Sequence, residues 1–169
     1  MVRTYGTNVG AGIILAPDPG AGRMGVAVKD LEGEYVFLTG NQIGALLGNA
    51  LLEDKSNRNA LPDNGVVIKT IVTSELCQAI ATKYGVETLD ILTGFKFISE
   101  KILEFEETAE STFLFGYEES YGYLIGDFVR DKDAVQASVM IAEVAAHYKA
   151  DGKPLLEGLN ALYEEQGYY

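Results

Sequence analysis

Glu118 and Ser120 stand two places apart in Gly116-Tyr117-Glu118-Glu119-Ser120-Tyr121-Gly122-Tyr123, a run flanked by aromatic rings. Carboxylate and hydroxyl groups suit sugar hydroxyls, which need both acceptors and donors, and aromatic faces suit the apolar side of a pyranose. On these residues alone a plain surface loop is an equal reading. Asp18-Pro19-Gly20-Ala21-Gly22-Arg23 sets a carboxylate and a guanidinium on one short loop after an apolar run; by itself it reads first as a glycine-rich turn. Thr93 and Gly94, in Leu92-Thr93-Gly94-Phe95-Lys96-Phe97, join a strand pattern to a helix pattern. They either cap that helix or offer amide donors to an oxygen-rich ligand. In Arg130-Asp131-Lys132-Asp133, Asp133 suits an N-cap, and Arg130 and Lys132 are either a solvated charge run or two cations facing an anion. Cys77 reads as a small core residue, and His147, the one histidine, as structural or solvent-facing late in a helix.

The elements that must position these residues are legible from periodicity. Gly12–Ala16 reads as a buried strand stopped by Pro17-Asp18-Pro19-Gly20, and Met24–Lys29 and Tyr35–Leu38 as an antiparallel pair joined across Asp30-Leu31-Glu32-Gly33-Glu34. From Gly40 the pattern alternates. Helix Asn41–Leu52, strand Gly65–Ile71, helix Ser74–Tyr84 with Ser74 as N-cap, strand Thr88–Leu92, helix Phe95–Glu106 and strand Thr112–Phe115 follow in order. A tyrosine- and glycine-rich loop then runs to about Lys132, before helices Ala134–Lys149 and Pro154–Glu165. The expected fold class is α/β: a layered, mixed sheet flanked by helices, with an N-terminal β-hairpin segment.

Composition narrows the partners. At 169 residues the chain suffices for one domain with a proper core, and 47% hydrophobic with 22% charged residues argues against disorder. A formal net charge of -12 opposes nucleic acid and anionic membrane surfaces. A single cysteine excludes an internal disulfide and, with no apolar leader or long apolar run, points to a cytoplasmic location.

Taken in order and spacing, Asp18–Val28, Leu38-Thr39-Gly40-Asn41-Gln42, Leu92–Phe97, Gly116–Gly122 and Arg130–Asp133 resemble the α-D-phosphohexomutase superfamily, most of all bacterial phosphoglucomutases. The resemblance implies that residues 1–35 are the end of that family's second domain and 36–169 its third, sugar-recognising domain. It implies a parent enzyme, an isomerase, that moves a phosphoryl group between hexose positions with magnesium held by an Asp-Pro-Asp-Ala-Asp-Arg loop. Asp18 matches the first aspartate of that loop and Arg23 its arginine, while Gly20 and Gly22 stand where the other two carboxylates would be. Glu118 and Ser120 match the residues that grasp the sugar; Thr93 and Gly94 lie near it, and Arg130 and Lys132 line the cleft. With two metal ligands replaced, and no phosphoserine or phosphate-binding domain, the expectation is a chain inactive alone. It would bind no magnesium and a hexose phosphate weakly, and could self-associate through exposed interdomain surface. An engineered or excised scaffold without ligand, and a piece complementing other mutase domains, are the alternatives.

Overall fold

Alternation of side chains builds the N-terminal sheet. In the computed structural model, which describes residues 2–169, strands β1 (Ile13–Pro17), β2 (Met24–Lys29) and β3 (Tyr35–Leu38) pair antiparallel in the order β1-β2-β3. Val26 faces Leu38, as the hairpin expectation requires, and Ile13 faces Val28, which adds β1 to that pair. Met24, Val26 and Val28 point into the core. Pro17 is the last strand residue on edge strand β1, where a missing N–H is tolerated. At the β2–β3 turn, Asp30 Oδ1 accepts the N–H groups of Glu32 and Glu34, and Gly33 takes the positive φ of 85°. A short helix, α1 (Val2–Asn8), precedes β1; its sequence carries no apolar periodicity and the reading above did not include it.

A capping box starts helix α2 (Gly40–Asn57): Thr39 Oγ1 accepts from the Gln42 amide, and Gln42 Oε1 accepts from the Thr39 amide. The helix outruns its expected end at Leu52 because Glu53–Asn57 holds no glycine or proline, and it stops where Asn59 turns left-handed at φ 53°. Gly40, Gly44 and Gly48, four apart, give α2 one smooth face. That face lies directly on Glu119, Tyr117 and Cys77: a Cβ on Gly44 would sit 2.3 Å from the Tyr117 ring, and one on Gly48 2.8 Å from Cys77 Sγ.

The main sheet has the order β5-β4-β6-β7, formed by β4 (Gly65–Thr70), β5 (Glu87–Ile91), β6 (Thr112–Tyr117) and β7 (Tyr123–Ile125). β4 runs parallel to β5 and β6, and β7 runs antiparallel to β6, so the mixed sheet is as expected. Helix α4 (Phe95–Thr108) covers one face with Phe95, Ile98, Ile102 and Phe105. The other face carries α2, α3 (Leu76–Lys83), α5 (Ala134–Ala150) and α6 (Leu155–Gln166), whose core is continuous with Met24, Val26 and Val28 of the N-terminal sheet.

Two local readings are corrected. β7 lies inside the stretch expected to be loop. Its three residues carry no strand period of their own, and they extend only because Tyr123 and Ile125 pair with Tyr117 and Phe115 of β6. Helix α3 begins at Leu76, not Ser74. Ser74 Oγ does accept the Leu76 amide at 3.1 Å, but as a turn two residues long that precedes the helix. Asp133, by contrast, caps α5 as expected, accepting from Val135 and Gln136. Among the described residues, no helix is long and apolar enough to cross a membrane.

Candidate functional site

Loops beyond the C-terminal ends of parallel strands are where ligands settle in open α/β sheets, because the strand ends project side chains into a shared crevice. Here four segments meet at that edge. The turn after β6 carries Glu118–Gly122, closed by the Glu118 N–H on the Gly122 carbonyl at 2.9 Å, with Tyr121 in the left-handed region at φ 68°. The Asp18 loop reaches the same place from the other sheet. The Met24 amide donates to the Tyr121 carbonyl at 3.1 Å, Arg23 pairs with Gly122, and the Ala134 amide of α5 donates to the Ala21 carbonyl at 2.9 Å. These bonds, with the core shared by Met24, Val26, Val28 and Leu38, stitch the sheet of residues 13–38 onto the domain.

Glu118 is buried, only 4% exposed. Burial pushes its carboxyl above the usual carboxylate range and neighbouring Glu119 adds to that; Lys132, Arg23 and the Gly94 backbone N–H oppose it. Lys132 crosses the turn. Its Cδ and Glu118 Oε2 each lie 3.0 Å from where a Cβ on Gly122 would sit, so the two side chains close over Gly122 and a side chain there would press both aside by a few tenths of an ångström. The Lys132 ammonium is 2.9 Å from Asp131 Oδ1 and sits over the Phe95 ring, 5.4 Å from its centroid. The structure therefore brings Arg23, Gly94, Glu118 and Lys132 together. Ser120 is half-buried and Thr93 exposed on the rim of the same edge, and neither hydroxyl has a hydrogen-bond partner among the described residues. Gly94 adopts φ 125°, a conformation that favours glycine. Arg130 is directed elsewhere: its guanidinium pairs with Glu106 of α4 and donates to the Asp127 carbonyl.

Asp18 closes its own loop. Its Oδ1 accepts the amides of Gly22 (2.9 Å) and Arg23 (3.2 Å), and these two bonds hold the carboxyl below the usual range.

Behind the turn lies a polar network that the sequence reading did not single out. Glu119 points the opposite way from Glu118, its Oε2 accepting from Thr70 Oγ1 (3.1 Å) and Thr73 Oγ1 (3.4 Å), which are themselves 2.6 Å apart. The Glu119 carbonyl rests on Gly40, where a Cβ would lie 2.0 Å from it. Beside them Lys69 is fully buried, with Asp90 Oδ1 at 2.7 Å, Glu75 Oε1 at 3.0 Å and the Thr73 carbonyl at 3.2 Å. The available signals were the hydroxyl-rich Thr70-Ile71-Val72-Thr73-Ser74 run after a strand and the four-residue glycine spacing of α2.

Because Glu118 binds its proton more tightly folded than unfolded, it stabilises the fold below its ordinary value of 4.5 and loses that contribution as pH rises through the raised folded value. Glu118→Gln is accordingly expected to be more stable than the parent at pH 7, with the advantage shrinking as pH falls through the raised folded value and gone below pH 4.5. Urea unfolding across that range checks it, and a variant less stable at pH 7 contradicts the assignment.

The comparisons agree with this architecture. The family model "Phosphoglucomutase/phosphomannomutase, alpha/beta/alpha domain III" matches residues 39–166. Over 94% of its length the chain is 42% identical to a phosphoglucomutase of Staphylococcus haemolyticus, and over 93% it is 39% identical to one of Staphylococcus aureus USA300. It spans only 28% and 27% of those relatives. A crystal structure of a phosphoglucomutase/phosphomannomutase family protein from Burkholderia thailandensis shares the fold, with a TM-score of 0.70 at 21% identity over 94% of this chain and 31% of that one. With a family model covering α2 through α6, the chain belongs to the phosphoglucomutase/phosphomannomutase family and carries its alpha/beta/alpha domain III.

Proposed function

We propose that this chain recognises a hexose phosphate at the edge where β4, β5 and β6 end, and binds it without turning it over. The observation that supports this reading is Glu118. It is a buried carboxylate close to Lys132 and Arg23, yet it has no ion pair within 4.0 Å among the described residues. Such a group is poised to accept a ligand hydroxyl, and ionisable groups perturbed by burial in a cleft are enriched at functional sites. Ser120 supplies a free hydroxyl beside it, and Lys132 and Arg23 supply positive charge for the phosphate.

Magnesium does not fit the Asp18 loop as it stands. The ion needs several hard oxygen donors in near-octahedral order. Here the one carboxylate already takes two backbone amides, Gly20 and Gly22 bring no side-chain donor, and the Lys132 stem lies 3.4 Å from where a Gly22 Cβ would be. Among the described residues no three His, Cys, Asp or Glu side chains gather into a metal-binding group. Recognition is therefore read as metal-independent, and no phosphoryl-transfer step is derived for the chain alone. Cys77 takes no part: it is buried, and burial pushes its thiol up to about 12, leaving it unreactive near neutral pH.

Isothermal titration with glucose 1-phosphate and mannose 1-phosphate tests the reading. Weak saturable heat is expected, unchanged by added magnesium and abolished in Glu118→Ala without loss of fold. Silence from both sugars would leave the chain a scaffold without ligand and overturn the proposal.

A further inference from the structure

A second concave surface starts at Asp133, next to the sugar-phosphate edge, and runs away from it along α5; it does not rest on that reading. Helices α2 and α5 flank a groove of about 940 Å³ that Phe128 also lines. The groove is long rather than round. It is lined by residues 46–57 of α2 and 135–148 of α5, which at ~1.5 Å per residue give walls of roughly 17–20 Å. That is three turns of a helix, more than a small metabolite needs.

Three large apolar side chains in it face solvent: Phe128 at 68% exposure, Val135 at 63% and Val139 at 66%. Val135 and Val139 are four apart and so form one stripe along α5. Exposed apolar patches of this kind mark interaction surfaces more often than single exposed residues do.

The rim decides the occupant. Glu53 on the α2 wall and Glu143 on the α5 wall carry no ion pair among the described residues, while the one arginine of the lining, Arg58, is already bound to Asp54. Carboxylates on both walls around an apolar floor complement a segment that is apolar on one side and basic at both flanks. A second copy of this chain is the wrong partner, since its formal charge of -12 repels the same rim.

We infer that the α2–α5 groove is a docking site for a basic amphipathic helix of a separate polypeptide, seated by the helix-in-groove mode with apolar anchors at i, i+3, i+4 and i+7. Lysines or arginines flanking those anchors meet Glu53 and Glu143.

The probe is a labelled helical peptide of about 18 residues, long enough to hold a helix, with leucines at the anchor positions and lysines on both flanks. Its twin carries glutamates in place of the lysines. Fluorescence anisotropy with the whole chain is expected to show saturable binding of the basic peptide only, with amide NMR shifts concentrated at residues 50–57 and 135–147. Glu53→Lys/Glu143→Lys is expected to weaken the basic peptide at least tenfold and to admit the acidic twin. Glu100→Lys/Glu107→Lys, on α4 across the sheet, changes net charge equally and is expected to leave binding intact. Equal loss in both double variants would reveal attraction to overall charge and overturn the site. So would the absence of saturable binding, shifts outside the groove, or a sedimenting dimer whose contacts map to Val135 and Val139.

Discussion

Converting Glu75 and Asp90 together to their amides, Glu75→Gln/Asp90→Asn, is expected to destabilise the protein more than deleting the lysine they share. Lys69 is 0% exposed, whereas the side chains of Glu75 and Asp90 are 50% and 46% exposed. Removing both carboxylates strands a fully buried cation, which costs about 3–5 kcal/mol. In Lys69→Met the aliphatic space stays filled and the two carboxylates turn to water, so about 1–2 kcal/mol is expected. The triple variant should recover much of the loss, because no buried charge then remains. Denaturant unfolding of the three variants measures the order directly, and a Lys69→Met that is the worst of the three contradicts the asymmetry.

The same lysine gives a pH signature. Burial alone would push the ammonium down, but the hydrogen bonds and charges of Asp90 and Glu75 outweigh it and the net direction is up. A raised lysine stabilises the fold fully below its ordinary value of 10.5 and ceases to do so as pH rises through the higher folded value. The gap between parent and Lys69→Met should therefore be flat through neutral pH and close only in strong alkali.

Gly44→Ala sets two effects of opposite sign against each other. In a helix interior alanine is favoured over glycine by about 1 kcal/mol. The new Cβ, however, would lie 2.3 Å from two carbons of the Tyr117 ring, which is wholly buried and stacked on Phe115 at 5.4 Å. A ring so enclosed cannot retreat, and overpacking of this kind costs typically 1–3 kcal/mol and occasionally more. We expect net destabilisation of about 2 kcal/mol, a fall in Tm of roughly 4–8 °C. Gly12→Ala, with nothing within 4 Å of its Cβ, should leave Tm unchanged. A Gly44→Ala as stable as the parent would show that α2 slides freely on β6. The position next along the stripe has a functional edge, since a Cβ on Gly40 strikes the Glu119 carbonyl and must displace the turn that carries Glu118 and Ser120.

These cases separate what was legible in the residues from what was not. The N-terminal antiparallel pair, the strand–helix alternation from Gly40 and the Asp133 cap were all readable, because each rests on local periodicity or on a side chain bonding its own neighbours. β7 was not: Tyr123–Ile125 becomes a strand only by pairing with β6. The start of α3 was misplaced for a related reason, since Ser74 can bond the Leu76 amide both as a cap and as a turn.

By itself the sequence determined the family, the order of the elements and the identities of Asp18, Arg23, Thr93, Gly94, Glu118, Ser120, Arg130 and Lys132 as candidates for one site. Only the tertiary structure decided their directions. It turned Glu118 toward Lys132 and Glu119 toward Thr70 and Thr73, drew Arg130 off to Glu106, and closed Asp18 on its own loop. The reason is that adjacent side chains in a turn leave the backbone on different sides, and which side meets a cation, a hydroxyl or solvent is set by elements far apart in the chain.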